Sequence, residues 1–107
     1  MKIGIVINTN DEEKAFNAFR FGNYSMKKCH EVKVFLMGKA VEIDSKDYKK
    51  FDVKGQASEF IRNNGIIHAC GSCLKLRQKE SSNICPISTM QDLLNIVEQS
   101  DKVISFG

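Results

Sequence analysis

The strongest constraint on this chain is a rhythm: apolar runs of strand length alternate with amphipathic stretches of helical length from one end to the other. The first run, Lys2-Ile3-Gly4-Ile5-Val6-Ile7, is almost continuously apolar and β-branched, the pattern of a strand covered on both faces. Asn8, Thr9, Asn10 and Asp11 break it. Thr9 with Glu12 makes a capping box, with Asn10 and Glu13 as a second candidate. A helix is predicted from there to about Lys28. Its apolar positions Ala15, Phe19, Gly22 and Met26 share a face that Phe16 and Ala18 widen.

The same alternation continues. Glu31 to Met37 reads as the second strand, ended by Gly38, and Gly38 to Ile43 as a short helical turn or loop. Ser45 to Lys50 is a polar connection. Asp52 is positioned to cap a helix to about Asn63 that carries Val53, Ala57, Phe60 and Ile61 on one face. Asn63-Asn64-Gly65 stops it. Ile66 to Ala69 is a third strand running into Cys70-Gly71-Ser72-Cys73 and a short helix with Leu74 and Leu76. Ser81-Ser82 breaks that helix. Asn83-Ile84-Cys85 is expected as a short fourth strand ended by Pro86. Ser88 with Gln91 forms another capping box, before a helix presenting Met90, Leu93, Leu94 and Val97. Lys102 to Phe106 is the fifth strand. The order predicts an α/β fold, a three-layer α/β/α sandwich on a mainly parallel five-stranded sheet, flavodoxin-like or similar, with right-handed crossovers.

Size and charge narrow the function. The 107 residues fit one domain, residues 1–107, with no repeat or linker. No apolar run approaches the roughly 20 residues that span a membrane, and the N-terminal run is too short for a secretory signal. The expected location is the cytoplasm, where the four cysteines would be reduced thiols. The net charge of +3 is mild and Trp is absent, so a nucleic-acid surface is not expected. The loop Asn8 to Glu13 lacks glycine and carries acids where a nucleotide's phosphates would sit. His30 and His68 show no serine-triad partners.

Topology then sorts the thiols. In a parallel α/β sheet reactive groups gather at the carboxyl ends of the strands. Cys70 falls at the end of strand three, Cys73 one turn into the next helix and Cys85 at the end of strand four, so all three are expected along one edge. Cys29 falls at the opposite edge, and it and His30 are read as structural or incidental. A thiol at a helix N-terminus faces free N–H groups and the positive end of the dipole, which lowers its pKa and favours the nucleophilic thiolate.

These residues resemble a known family. The stretch Ala69-Cys70-Gly71-Ser72-Cys73-Leu74-Lys75-Leu76-Arg77, followed by Cys85-Pro86-Ile87-Ser88-Thr89-Met90-Gln91-Asp92-Leu93, is similar to the DsrE/DsrF-like sulfur-relay proteins. So are Ala15 to Gly22, His30 to Gly38 and Ser100 to Phe106. The resemblance implies a parallel α/β domain assembled as homotrimers, hexamers or hetero-hexamers, with sulfur donor and acceptor proteins as partners. It also implies a persulfide-carrying cysteine after the third strand, which falls on Cys70. Cys73 and Cys85 are additions to the single-thiol pattern, as in a small subgroup with a CxxC. The leading expectation is thus a sulfur carrier or transferase with no organic cofactor: Cys70 is the nucleophile and persulfide site, and Cys73 or Cys85 resolves it or relays the sulfur. Alternatives are a zinc or iron–sulfur module on Cys70, Cys73 and Cys85 with His68 as a fourth ligand, a dithiol redox protein, and an oligomeric adaptor.

Overall fold

A computed structural model describes residues 1–107. The strands are β1 (Lys2–Ile7), β2 (Glu31–Leu36), β3 (Ile66–Cys70), β4 (Ile87–Ser88) and β5 (Lys102–Phe106). The helices are α1 (Glu12–Lys27), α2 (Val53–Arg62), α3 (Gly71–Leu76) and α4 (Met90–Gln99), with a 3-10 helix over Gly38–Glu42. All five strands pair in parallel, in the order β4-β3-β2-β1-β5. The chain steps outward from β1 to β4 and then returns to the far side of β1. Right-handed crossovers therefore place α1 and α2 on one face and α4 on the other. Packing agrees with this division. Ile3, Ile5, Ile7, Val32, Val34, Leu36 and Ile67 join Phe19, Ala57 and Phe60 in the main core. Phe35, Cys70 and Ile96 form a small second core under α4.

One glycine sets how closely α4 can lie. A Cβ built on Gly4 would stand 2.7 Å from Ile96 Cγ2 and 2.9 Å from Ser100 Oγ. Gly4 is therefore a point of close approach between strand and helix.

Three boundaries differ from expectation, each for a local reason. Asp11, not Thr9 or Asn10, caps α1, its carboxylate accepting from Lys14 N at 3.0 Å. Glu12 is unavailable for a capping box because its carboxylate accepts from Lys50 N and Phe51 N. The α4 capping box lies one residue later than read, on Thr89 and Asp92. The fourth strand is Ile87–Ser88, not Asn83–Cys85. Residues 82–85 instead form a turn, with Ser82 N donating to Cys85 O and Cys85 N donating to Ser82 Oγ. Pro86 leads into the strand rather than ending it, its carbonyl accepting from Ala69 N at 2.9 Å. A proline with no N–H fits the start of this edge strand.

Cys29 takes the left-handed conformation, φ 70°, that closes α1. His30 N reaches back to Ser25 O, and the His30 ring contacts the N-terminal amine. Both residues stand at the termination of α1.

Gly4→Ala should push Ile96 away and destabilise the fold by about 1–3 kcal/mol. A chemical-denaturation midpoint shifted downward at unchanged slope is the expected result.

Candidate functional site

The Cys-Gly-Ser-Cys segment forms the junction of β3 and α3. Cys70 ends the strand and is the N-cap residue of the helix. Gly71 is required by close packing: a Cβ there would stand 2.9 Å from the carbonyl oxygen of Ser88. Ser88 lies opposite Cys70 in the β3–β4 register. The first turn of α3 is thereby pressed against β4. A recess of about 460 Å³ opens beside it, lined by Cys70, Gly71, Ser72, Ile87, Ser88, Thr89 and Met90. Cys70 is only 4% exposed, so its sulfur is reached from this recess or not at all.

Cys73 is the neighbour of Cys70, and their side chains interact directly. Cys73 also packs against both cores and accepts a hydrogen bond from Gly38 N at 3.2 Å. Gly38 holds φ +57°, a conformation that suits glycine and aims its N–H at the sulfur.

The expected depression of the Cys70 pKa is not found. Burial pushes the thiol up, and the side-chain hydrogen bond and charge of Cys73 add to the rise. The backbone N–H groups of Cys73 and Ser72 pull it down but do not prevail. A helix of six residues supplies little dipole against desolvation.

Cys85 is not on the reactive edge. Because strand four starts after it, its side chain enters the main core, with its sulfur 3.6 Å from Val41 O. Burial, followed by the charge of Asp44, pushes its thiol up to about 12. Above it lies a polar clasp. Lys79 Nζ bonds Asp44 at 2.6 Å and Ser45 Oγ at 3.1 Å, and Ser82 Oγ donates to Asp44 at 2.7 Å. Beside these, Arg77 Nε bonds Glu42 at 2.7 Å. The basic residues after the CxxC thus fasten α3 and its following loop to the 3-10 helix, not to a ligand. Sequence reasoning missed this clasp because the acids and bases lie 35 positions apart.

No three His, Cys, Asp or Glu side chains converge as a metal site. His68 turns instead to Ser88 Oγ at 3.0 Å. All four cysteines are free thiols.

Comparison with known proteins matches this arrangement. The family model for DsrE/DsrF-like proteins matches residues 1–106. The chain belongs to the DsrE/DsrF-like family. An uncharacterized protein of Methanocaldococcus jannaschii is 28% identical over 102 residues, covering 89% of each chain. Another from Methanopyrus kandleri is 31% identical over 101 residues, covering 89% of this chain and 84% of its own. Among solved structures, the ychN protein from E. coli superposes with a TM-score of 0.87 at 22% identity, over 99% of both chains. A conserved protein of unknown function from Bacteroides thetaiotaomicron gives 0.79 at 18% identity, over 98% of this chain and 94% of its own. At those identities the two structures establish the DsrE-like fold alone. Family membership supports a sulfur-relay type of protein. No helix is long and apolar enough to cross a membrane.

The clasp carries a pH signature. Burial raises the Asp44 pKa, but the Lys79 and Ser82 hydrogen bonds and the Lys79 charge outweigh it, and the net direction is downward. A carboxylate depressed on folding stabilises the protein above its unfolded pKa of about 3.9, and that contribution is lost as pH falls through the folded value. Asp44→Asn should therefore flatten part of the acid limb of the stability curve below about pH 4, measured by urea denaturation at several pH values.

Proposed function

We propose that this protein is a sulfur carrier that accepts sulfane sulfur on Cys70 from a donor protein and delivers it to an acceptor. The observation that carries the reading is the placement of Cys70 at the floor of an open recess with Cys73 against it. Family membership supports the same chemistry.

The steps balance without an added oxidant. The Cys70 thiolate attacks the outer sulfur of a donor persulfide. The S–S bond of the donor breaks, its thiolate leaves, and Cys70 holds the persulfide. An acceptor thiolate reaching the recess then takes the outer sulfur, and Cys70 returns to thiolate. Where no acceptor comes, the Cys73 thiolate attacks Cys70 Sγ. A Cys70–Cys73 disulfide forms and hydrosulfide leaves. Cys73 suits the resolving role better than Cys85, which is sealed behind the clasp with its pKa near 12.

Assembly belongs to this reading. Met90, Leu94 and Val97 stand 53%, 49% and 48% exposed at i, i+4 and i+7, a second apolar stripe on a helix whose inner side already packs on the sheet. A second copy of the chain on this stripe, in a trimer or hexamer, would cover it. Because Met90 also lines the recess, such a neighbour would border the thiol.

Intact mass tests the chemistry. After treatment with a persulfide donor, a reducible gain of about 32 Da should appear in the parent protein and in Cys73→Ser, and vanish in Cys70→Ser. A gain that survives in Cys70→Ser, or none in the parent, would sink the proposal. Light scattering tests the assembly: Leu94→Glu should reduce the molar mass to that of a single chain while the circular dichroism stays the same.

A further inference from the structure

His68 is the one imidazole on the sheet face that carries Cys70. Residues two apart on a strand point the same way, about 6.6 Å apart. Cys70 and Ser88 are register partners on adjacent strands and share that face as well. His68, Cys70 and Ser88 therefore share one sheet face, and Cys70 and Ser88 of the three line the recess.

The hydrogen bonds around Ser88 bear on which nitrogen of His68 carries the proton. Ser88 Oγ donates to Pro86 O at 3.0 Å and lies 3.0 Å from His68 Nδ1. A hydroxyl has a single hydrogen, and Pro86 O can only accept; with that hydrogen on Pro86 O, the hydrogen between the ring and Ser88 comes from Nδ1. This network assigns neutral His68 the Nδ1–H tautomer, with the lone pair on Nε2 left to accept a proton. Ser88 is itself buried, 7% exposed, and held in register by β3, so the lock does not depend on a mobile partner.

Cys70 needs such a partner. Its thiol is driven toward the neutral form, yet only its thiolate attacks sulfur. We propose that His68 is the proton acceptor that activates Cys70: the proton leaving the thiol is taken up at His68 Nε2, and the imidazolium so formed, still donating from Nδ1 to Ser88, holds the thiolate by charge. One proton moves from sulfur to nitrogen, and nothing is oxidised. The inference rests on Cys70 being the sulfur-accepting thiol, but its test needs no sulfur transfer.

The other ionisable groups around the pair are Cys73 on α3, Asp92 at the start of α4 and Lys33 on the same face of β2. Asp92 is held low by the Thr89 backbone N–H, with a smaller part from the His68 charge, so it remains a carboxylate that favours imidazolium. Lys33 opposes it from beyond Phe35, the register partner of His68.

The experiment is the pH dependence of iodoacetamide alkylation at Cys70, read by mass spectrometry in a Cys73→Ser background. The expected profile rises in two steps, the lower belonging to the thiolate–imidazolium pair. His68→Gln, which can still donate to Ser88, should abolish the lower step and slow alkylation at pH 7 about tenfold, leaving a single later rise. A profile unchanged by His68→Gln would overturn the proposal, since a structural role would leave the thiol's titration intact. Nitrogen-15 spectra of the imidazole provide a readout independent of that variant. Neutral His68 should show Nδ1 protonated, and an Nε2–H ring would equally overturn the assignment. Failure of sulfur loading with a normal two-step profile would count against the carrier reading and leave this one standing.

Discussion

The return of the chain across β1 governs the rest of the structure. Because β2, β3 and β4 advance one way and β5 lies on the other side, three crossovers share a face and a single ten-residue helix is left for the other. That helix can bury only a strip of the sheet. It does so tightly at the centre, where Gly4 admits Ile96, and leaves Ile66 exposed at the β3 side and Val103 at the β5 side. The recess beside Cys70 exists because α4 begins at Met90 and does not extend over the β3–β4 edge. An edge strand of two residues completes the opening. The thiol is therefore both buried by its own strand–helix junction and approachable along one line.

That combination reverses a familiar electrostatic expectation. A cysteine at a helix start is activated when the dipole and free N–H groups outweigh desolvation. Here the helix has six residues, and the cysteine lies beside Phe35 and Ile96 in a small apolar core. Desolvation dominates. A buried thiol kept neutral is protected from indiscriminate oxidation, and it reacts only where the site supplies a charge or a proton acceptor. The Cys73 sulfur can serve as a nearby nucleophile but not as a stabilising charge, since a second thiolate at contact distance repels the first. A group that becomes positive meets the electrostatic need.

The alternating runs made the sheet readable. Lys2–Ile7 and Glu31–Leu36 had the β-branched density of doubly covered strands, and Asp52 ahead of Val53 and Ala57 marked α2. Cys70 and Cys73 were legible as neighbours because a strand leading into a helix brings residues three apart onto one turn. Cys85 was not. Its expected placement depended on taking Asn83-Ile84-Cys85 as a strand, from apolar character over two positions. The preference of Ser82 for a side-chain bond to the Cys85 amide made that stretch a turn instead, and the shift carried the sulfur from the edge into the core. The clasp and the His68–Ser88 bond were invisible for another reason: each joins segments 20 or more positions apart, which periodicity does not relate.

Cys85 nonetheless has a consequence for the chemistry of Cys70. Its sulfur fills the core beneath the 3-10 helix, against the carbonyl of Val41, while Lys79, Asp44 and Ser82 close the surface above. This packing fixes the 3-10 helix, and Gly38, at the start of that helix, donates its N–H to Cys73. The position of Cys73 relative to Cys70 is thus set from two sides, by the α3 backbone and by a hydrogen bond from an element that Cys85 and the clasp hold in place. Three cysteines close in sequence have three different roles in this arrangement: one faces the recess, one stands against it, and one anchors the wall that positions the second.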